Sequence, residues 1–410
     1  MGSTGPDVWR TRAMPGRSRA VPGPVPAWSV PRSTVSSVPE PAPPAGSGDL
    51  GEELLGLGRS AGLAAVGIAS AEVFESARRD LIERRGRGLH GGMQFTFRNP
   101  ERSTDPRRLL PGARALVVGA WGYRRSENGG PGPSAGGNGP AGEVATYARR
   151  DHYASLRGAL EPMASHLRAL GWRATVVCDD NALVDRAAAH RAGLGWFGKN
   201  SLILLPGLGS WFVLGSVVTD APLAASARPD HAAPGAGCGS CDRCRTACPT
   251  GALVEPGVLD ARRCLAWLVQ APGPFPEEYR RALGGRIYGC DECQQVCPIN
   301  RLADRRHPPP PAEADAASAV DLLDLLASSD QELLSNYGRW YIPGRDPRYL
   351  RRNALIALGN VGERDDPATE GTLRRWMAAD DPLIAEHARW AARELGLDVS
   401  RCTPVGPRHP

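Results

Sequence analysis

The sequence predicts an α+β protein built in three parts, on three observations. Strand-like apolar runs alternate with amphipathic helical segments across the N-terminal half. Eight of the ten cysteines then crowd between Cys238 and Cys297. After the Pro-rich stretch His307–Ala312 the pattern turns helical, with small residues on the faces that must pack.

The elements follow in order. Met1–Ser47 is rich in Pro, Ser, Gly and Arg, lacks the apolar core of a secretory signal, and reads as a disordered leader. Asp49–Ser60 is a short helix, Leu63–Ile68 a strand, Phe74–Glu83 a helix and Ala115–Ala120 a buried strand. Arg125–Glu143, rich in Gly, Pro and Asn, reads as a loop or insertion. Tyr153–Leu170 is a long amphipathic helix that feeds the strand Ala174–Cys178, and Asp185–Ala192 is helical. Leu202–Leu205 and Phe212–Thr219 read as two strands joined by the turn Pro206–Ser210. Arg351–Gly362, Thr372–Ala379 and Leu383–Gly396 resemble a pair of HEAT-type repeats, too small to stand alone and expected to dock on the main body.

Composition excludes little. With 410 residues, 41% of them hydrophobic, the chain can build two or three domains. A formal charge of +5 permits an anionic partner without requiring one. No apolar run approaches the ~18 residues a membrane helix needs, so no membrane partner and a cytoplasmic location are expected. Lys199 is the single lysine among 49 basic residues. A lysine that persists where arginine is otherwise universal points to a need for a compact ammonium. It lies in Gly195–Asn200, where two glycines flank Trp196 and Phe197, and is expected to face a cofactor or substrate pocket.

The cysteine pattern is the most specific signal. Cys238, Cys241, Cys244 and Cys248, the last followed by Pro249, have the bacterial ferredoxin spacing, in which the fourth cysteine serves the other cluster. The second run, Cys290, Cys293 and Cys297 before Pro298, lacks its first cysteine, and Cys264 can supply it. Cluster one then takes Cys238, Cys241, Cys244 and Cys297, and cluster two takes Cys248, Cys264, Cys290 and Cys293, giving two 4Fe–4S clusters in a ferredoxin-like domain. Two structural zinc sites would leave the crossed Cys-Pro pattern without a reason. Cys178 and Cys402 stand apart as ordinary thiols. Such a chain is an electron-transfer protein or a reductase, and the size of the N-terminal region argues that chemistry resides there.

Seven segments together resemble the epoxyqueuosine reductase family: Tyr147–Tyr153, Arg191–Asn200, Gly209–Leu214, Cys238–Leu253, Leu259–Cys264, Gly285–Asn300 and Arg352–Gly359, in the same order over about Asp49–Gly396. The resemblance implies a cobalamin-binding catalytic domain over 48–225, a ferredoxin-like domain over 226–306 and a HEAT-like domain over 307–400. It implies reduction of the epoxide of epoxyqueuosine to queuosine at the wobble position, 34, of tRNAs with GUN anticodons. Cobalamin would be the catalytic cofactor, and the two clusters would relay electrons from an external low-potential donor to a monomer. No Asp-x-His triplet occurs, so the resemblance implies base-off cobalamin without a histidine ligand. Asp179 matches the proton-donor aspartate, with Asp180 beside it as the alternative carboxylate. Val144, Ile203, Leu214, Ala266 and Asp291 match corrin contacts, which Asp179 and Lys199 would join. Arg345, Arg348, Arg351 and Arg352, interleaved with Trp340, Tyr341 and Tyr349, are the expected RNA contacts. The competing readings are a cobalamin-dependent reductive dehalogenase and a non-catalytic ferredoxin-type carrier.

Overall fold

The computed structural model describes residues 47–126, 139–226, 235–311 and 318–399. The leader, apart from Ser47, and Cys402 lie outside the described residues.

The strands run in order as β1 (Ala65–Ser70), β2 (Ala115–Gly122), β3 (Ala141–Val144), β4 (Ala174–Cys178), β5 (Trp196–Phe197) and β6 (Ile203–Leu204). They continue as β7 (Phe212–Thr219), β8 (Leu253–Glu255), β9 (Val258–Leu259), β10 (Arg286–Tyr288) and β11 (Ala319–Asp321). The central sheet has the order β1-β2-β7-β4, and each of its pairings is antiparallel. The fold is thus mixed α and β, but the N-terminal sheet is not the parallel one that "α/β" denotes. Alternation of strands and helices along the chain does not fix strand direction. Here β7 returns from far downstream to lie between β2 and β4.

Alternation within each strand feeds two cores. Val117 and Val217 point to one face, where they meet Leu54 of helix α1 (Ser47–Ser60) and Leu156, Leu160 and Met163 of helix α2 (His152–Ala169). Leu116, Val118, Val177 and Val218 point to the other, against Ala188 and Ala189 of helix α3 (Asp185–Arg191). Asp151 caps α2, its carboxylate accepting the Ala154 N–H at 2.8 Å.

Two expectations change here. Residues 141–144, placed in a loop, form β3, which pairs parallel with β10 and antiparallel with β11. Its partners lie far along the chain, so nothing local marked it. Residues 127–138 of that expected loop lie outside the described residues. Likewise β6 pairs with β5, whereas β7 belongs to the central sheet, so the two strands around Pro206–Ser210 are not a hairpin.

The C-terminal helices α4 (Arg348–Val361), α5 (Pro367–Met377) and α6 (Pro382–Glu394) pack on one another. A Cβ at Gly359 would sit 2.7 Å from Ala391 Cα, so glycine is what lets α4 and α6 approach. These helices do not form a core of their own. Leu355, Ile356 and Trp390 share one apolar cluster with Leu265, Phe275 and Ile287 of the cysteine-bearing segment and with Val144 of β3.

Candidate redox site

Each ligand cysteine sits where the backbone can serve its sulfur. Cys264 precedes the one-turn helix Leu265–Leu268, whose Trp267 and Ala266 N–H groups partly offset the burial that raises its thiol; the Trp267 N–H donates to the Cys264 carbonyl at 2.9 Å. Cys297 precedes the helix Pro298–Arg306, and the proline begins that helix without a wasted donor. Cys248 accepts the Ala252 N–H at 3.2 Å, and Cys238 accepts the N–H of Lys199. Such donors stabilise the charge on cluster sulfurs.

The thiols fall into the two sets the spacing predicts. Cys238, Cys241, Cys244 and Cys297 line one cavity of about 130 Å³. Cys264 acts electrostatically on Cys290 and Cys293, and Cys248 acts on Cys264. Cys293 also feels Cys244, which brings the two sets into electrostatic contact. Burial pushes the Cys244 thiol up to about 11 and the Cys290 thiol up to about 12, so iron binding must displace their protons. All nine cysteines among the described residues are free of disulfides. The donor chemistry and spacing fit two 4Fe–4S clusters.

Asp179 ends β4 with φ at 52°, a left-handed conformation uncommon for a residue with a Cβ. Strand alternation therefore stops at Cys178 and does not decide which aspartate faces inward. Asp180 is committed to the turn, accepting the Ala182 N–H at 2.8 Å. Asp179 has no such tie. Desolvation raises its carboxyl above the ordinary range, Arg157 opposes this, and Asp180 and Asp151 add to it. Tyr153, Asp185 and Tyr288 all feel its charge. Asp185, read from the sequence only as the start of a helix, has a buried Oδ1 without a partner, and burial holds its carboxyl well above the usual value.

Other expected site residues are placed differently. Val144, Ile203 and Leu214 are buried in the apolar cores, and Ala266 is half-buried, so only backbone contacts to a cofactor remain open to the first three. The Asp291 carboxylate is buried and taken up by Thr146. Lys199 is not among the groups around Asp179. The β5–β6 hairpin folds over residues 235–257, with Gly235 donating to the Phe197 carbonyl and Gly257 to that of Lys199, and this carries Lys199 onto the cluster-one cavity. The flanking glycines serve the hairpin itself: a Cβ at Gly195 would clash with the Leu204 carbonyl, and one at Gly198 would lie 2.6 Å from Asn200 Oδ1.

The arginines also divide. Arg345 and Arg348 are exposed. Arg352 is fully buried, donating to the carbonyls of Leu268, Val269, Ala271 and Gly273 and to Asn353 Oδ1. Arg351 is nearly buried, donating to Asp330 and to the Ser328 carbonyl. These two cannot meet an RNA from where they lie, because the helix face that carries them is the packing face of α4.

Cysteines at ferredoxin-type spacing, four of them around one cavity, together with an acid raised by desolvation define an iron–sulfur oxidoreductase. Residues 237–300 match the family model for a 4Fe-4S double cluster binding domain. The chain is 34% identical over 355 residues to epoxyqueuosine reductase of Bacillus cereus, covering 85% of this chain and 90% of that one. It is 32% identical over 371 residues to the enzyme of Xanthomonas campestris, covering 89% and 100%. Among solved structures it is similar to epoxyqueuosine reductase from Streptococcus thermophilus, with TM-score 0.74 and 28% identity over 84% of this chain and 90% of that one. It is also similar to an epoxyqueuosine reductase solved with an epoxyqueuosine-modified tRNA-Tyr stem loop, with TM-score 0.71 and 32% identity over the same shares. The chain belongs to the epoxyqueuosine reductase family.

Proposed function

We propose that this chain reduces epoxyqueuosine to queuosine at the wobble position of a GUN-anticodon tRNA, with base-off cobalamin as catalytic cofactor and the two clusters relaying electrons from an external donor. The observation that carries the reading is the Asp179 carboxyl, raised by partial desolvation and with no hydrogen-bonded partner among the described residues, in one chain with the four-cysteine cavity. The epoxide takes two electrons and two protons, and its oxygen leaves as water. The departing oxygen gains negative charge, so an acid held protonated beside it lowers the barrier. Asp179 is exposed enough to regain its proton from solvent after each turnover.

Cobalamin, when bound, supplies a low-potential cobalt centre able to break a C–O bond reductively. Asp179 together with the unpartnered buried oxygen of Asp185 supports a polar cofactor on that face. Backbone at Val144, Ile203 and Leu214, with Ala266, would hold the corrin. Tyr153, with its phenol raised by burial, stays neutral and can donate to the substrate. The exposed Arg345 and Arg348, beside the exposed Tyr341, supply phosphate contacts and a stacking surface for an unpaired loop.

The division into catalytic, ferredoxin-like and HEAT-like domains at 226 and 307 belongs to this proposal, as do the monomeric state and the cytoplasmic location. No helix among the described residues is long and apolar enough to cross a membrane. The test is anaerobic protein mixed with cobalamin, a low-potential reductant and tRNA carrying epoxyqueuosine, followed by nucleoside mass spectrometry. Queuosine should accumulate. Cobalamin bound, as seen by absorption, with no queuosine formed would favour a different reductase. Clusters present with no cobalamin bound would favour a simple electron carrier.

A further inference from the structure

We propose that Lys199 is a positioning residue whose ammonium sets the reduction potential of the cluster held by Cys238, Cys241, Cys244 and Cys297, with Asp242 as its opposing charge. The inference rests on the cluster reading above but not on cobalamin or tRNA.

Three observations place the charge. Lys199 lines the cavity that those four sulfurs surround. Its side chain is 13% exposed, and its Nζ lies 3.3 Å from Asp242 Oδ1. Asp242 is 47% exposed, does not line the cavity, and also faces Arg245 at 3.5 Å. The ammonium is therefore the inner charge of the pair and the carboxylate the outer one, which water screens. The field reaching the cluster is net positive.

The position is built, not incidental. The Lys199 N–H donates to the Cys238 sulfur, and its carbonyl accepts from Gly257. Gly235, at φ 83°, must lack a side chain, since a Cβ there would sit 2.7 Å from Lys199 Cγ. The stem is thus confined along its length. A compact ammonium on a slim stem suits this slot better than a planar guanidinium, which gives a reason for the chain's one lysine.

The step is a one-electron transfer. An external low-potential donor loses one electron, the cluster gains it, and no bond is made or broken. The reduced cluster carries one more negative charge than the oxidised form. A cation at the cavity wall stabilises the reduced form more, so it raises the potential.

The experiment is a mediated redox titration of anaerobic full-length protein, followed by electron paramagnetic resonance, with no cobalamin or tRNA added. Lys199→Met should lower one of the two midpoint potentials and leave the other in place. It removes the inner charge and leaves Asp242 with Arg245 alone as its opposing charge. Asp242→Asn, which removes the outer charge of the pair, should move the same potential upward. Lys199→Arg should return it toward the wild-type value. A Lys199→Met protein with both potentials unchanged, or with both shifted equally, would overturn the inference, as would a downward shift in Asp242→Asn. Wild-type protein lacking two paramagnetic clusters on reduction would overturn the cluster reading, and this inference with it.

Discussion

Thr146 gives both its backbone N–H, at 2.7 Å, and its hydroxyl, at 2.8 Å, to a single carboxylate oxygen of Asp291. Thr146 follows β3, and Asp291 lies between the ligands Cys290 and Cys293. The bond is one end of a buried polar chain. Gln294 Oε1 accepts from Ser210 at 3.0 Å and from Tyr123 at 3.3 Å, and Asn300 Oδ1 accepts the Ser210 N–H at 2.7 Å. The ligand segment is thereby fixed to the sheet domain by groups that have no water to fall back on.

Asp291→Asn should break this junction. An amide oxygen can still take both Thr146 donors, but the charge that strengthens those bonds is lost, and the amide N–H groups replace Oδ1, which faces the Gln294 side-chain N–H; a buried donor left unpaired costs about 1–3 kcal/mol. Iron content should fall, and the denaturation midpoint with it. Iron content and midpoint both equal to wild type would show that the pair does not brace the clusters.

Arg352 should behave as core and Arg348 as surface. Arg352→Met takes the donor from the carbonyls of Leu268, Ala271 and Gly273, while that of Val269 keeps the Asn353 amide, and should cost at least about 3 kcal/mol. Arg348→Ala, together with Arg345→Ala, should leave thermal unfolding nearly unchanged while weakening tRNA binding and reducing its salt dependence. Equal tRNA affinity in the double variant, measured by filter binding across salt, would place the RNA elsewhere.

Asp179→Asn should retain both clusters and lose turnover by about 10²–10⁴-fold, the usual cost of a missing general acid. The wild-type carboxyl is raised by desolvation, so its protonated fraction extends toward neutral pH and falls as the pH rises through the raised value. Wild-type single-turnover rates should therefore decline on the alkaline side, and the variant should lack that limb. If Asp180→Asn is the crippled protein, the acid has been assigned to the wrong carboxylate.

His387 makes docking of the helical segment sensitive to acid. Its Nε2 accepts the Phe275 N–H at 3.2 Å, and its Nδ1 lies 2.7 Å from the Leu383 carbonyl, a pattern that needs the neutral ring. Burial depresses it to about 4, the Leu383 carbonyl opposes this, and the Arg280 charge lowers it further. The unfolded chain, with a histidine near ~6.5, binds more protons than the folded one across that window. The stability it contributes is full above ~6.5 and is lost as the pH falls through about 4. His387→Gln keeps an acceptor without titrating, so its urea midpoint should change less than wild type between the two ends of that window. Parallel midpoint curves would exclude His387 as the group responsible.

What could be read beforehand depended on how local its cause is. The double-cluster segment was legible because cysteine spacing dictates how thiolates wrap a cube, and the family match over residues 237–300 agrees with it; the allotment of each cysteine to a cluster, with Cys264 filling the gap in the second run, belongs to the proposal. The helices α1 to α6 were legible through their periodicity. Arg351 and Arg352 were misread because a charge in sequence carries no sign of its surroundings, and α4 buries Arg352 against the carbonyls of Leu268–Gly273 and Arg351 against Asp330 and the Ser328 carbonyl. Asp185 gave no signal at all, since an unpaired buried oxygen exists only once β4 and α3 have met. Lys199 was conspicuous as a solitary lysine, but its location waited on the hairpin that carries it to Cys238.

The small sheet β10-β3-β11 draws its strands from three remote stretches of the chain, with β3 in the middle. During synthesis β3 emerges early and has no partner until both the ligand segment and the residues that open the helical region have followed it. Its edges must stay unpaired through that interval, and non-local pairing of this sort is slow to nucleate. The ligand segment, which follows β10 directly, is thus held by the complete sheet only once β11 has been made. A ribosome stalled before β11 would be expected to hold a chain that can accept iron but cannot yet retain it.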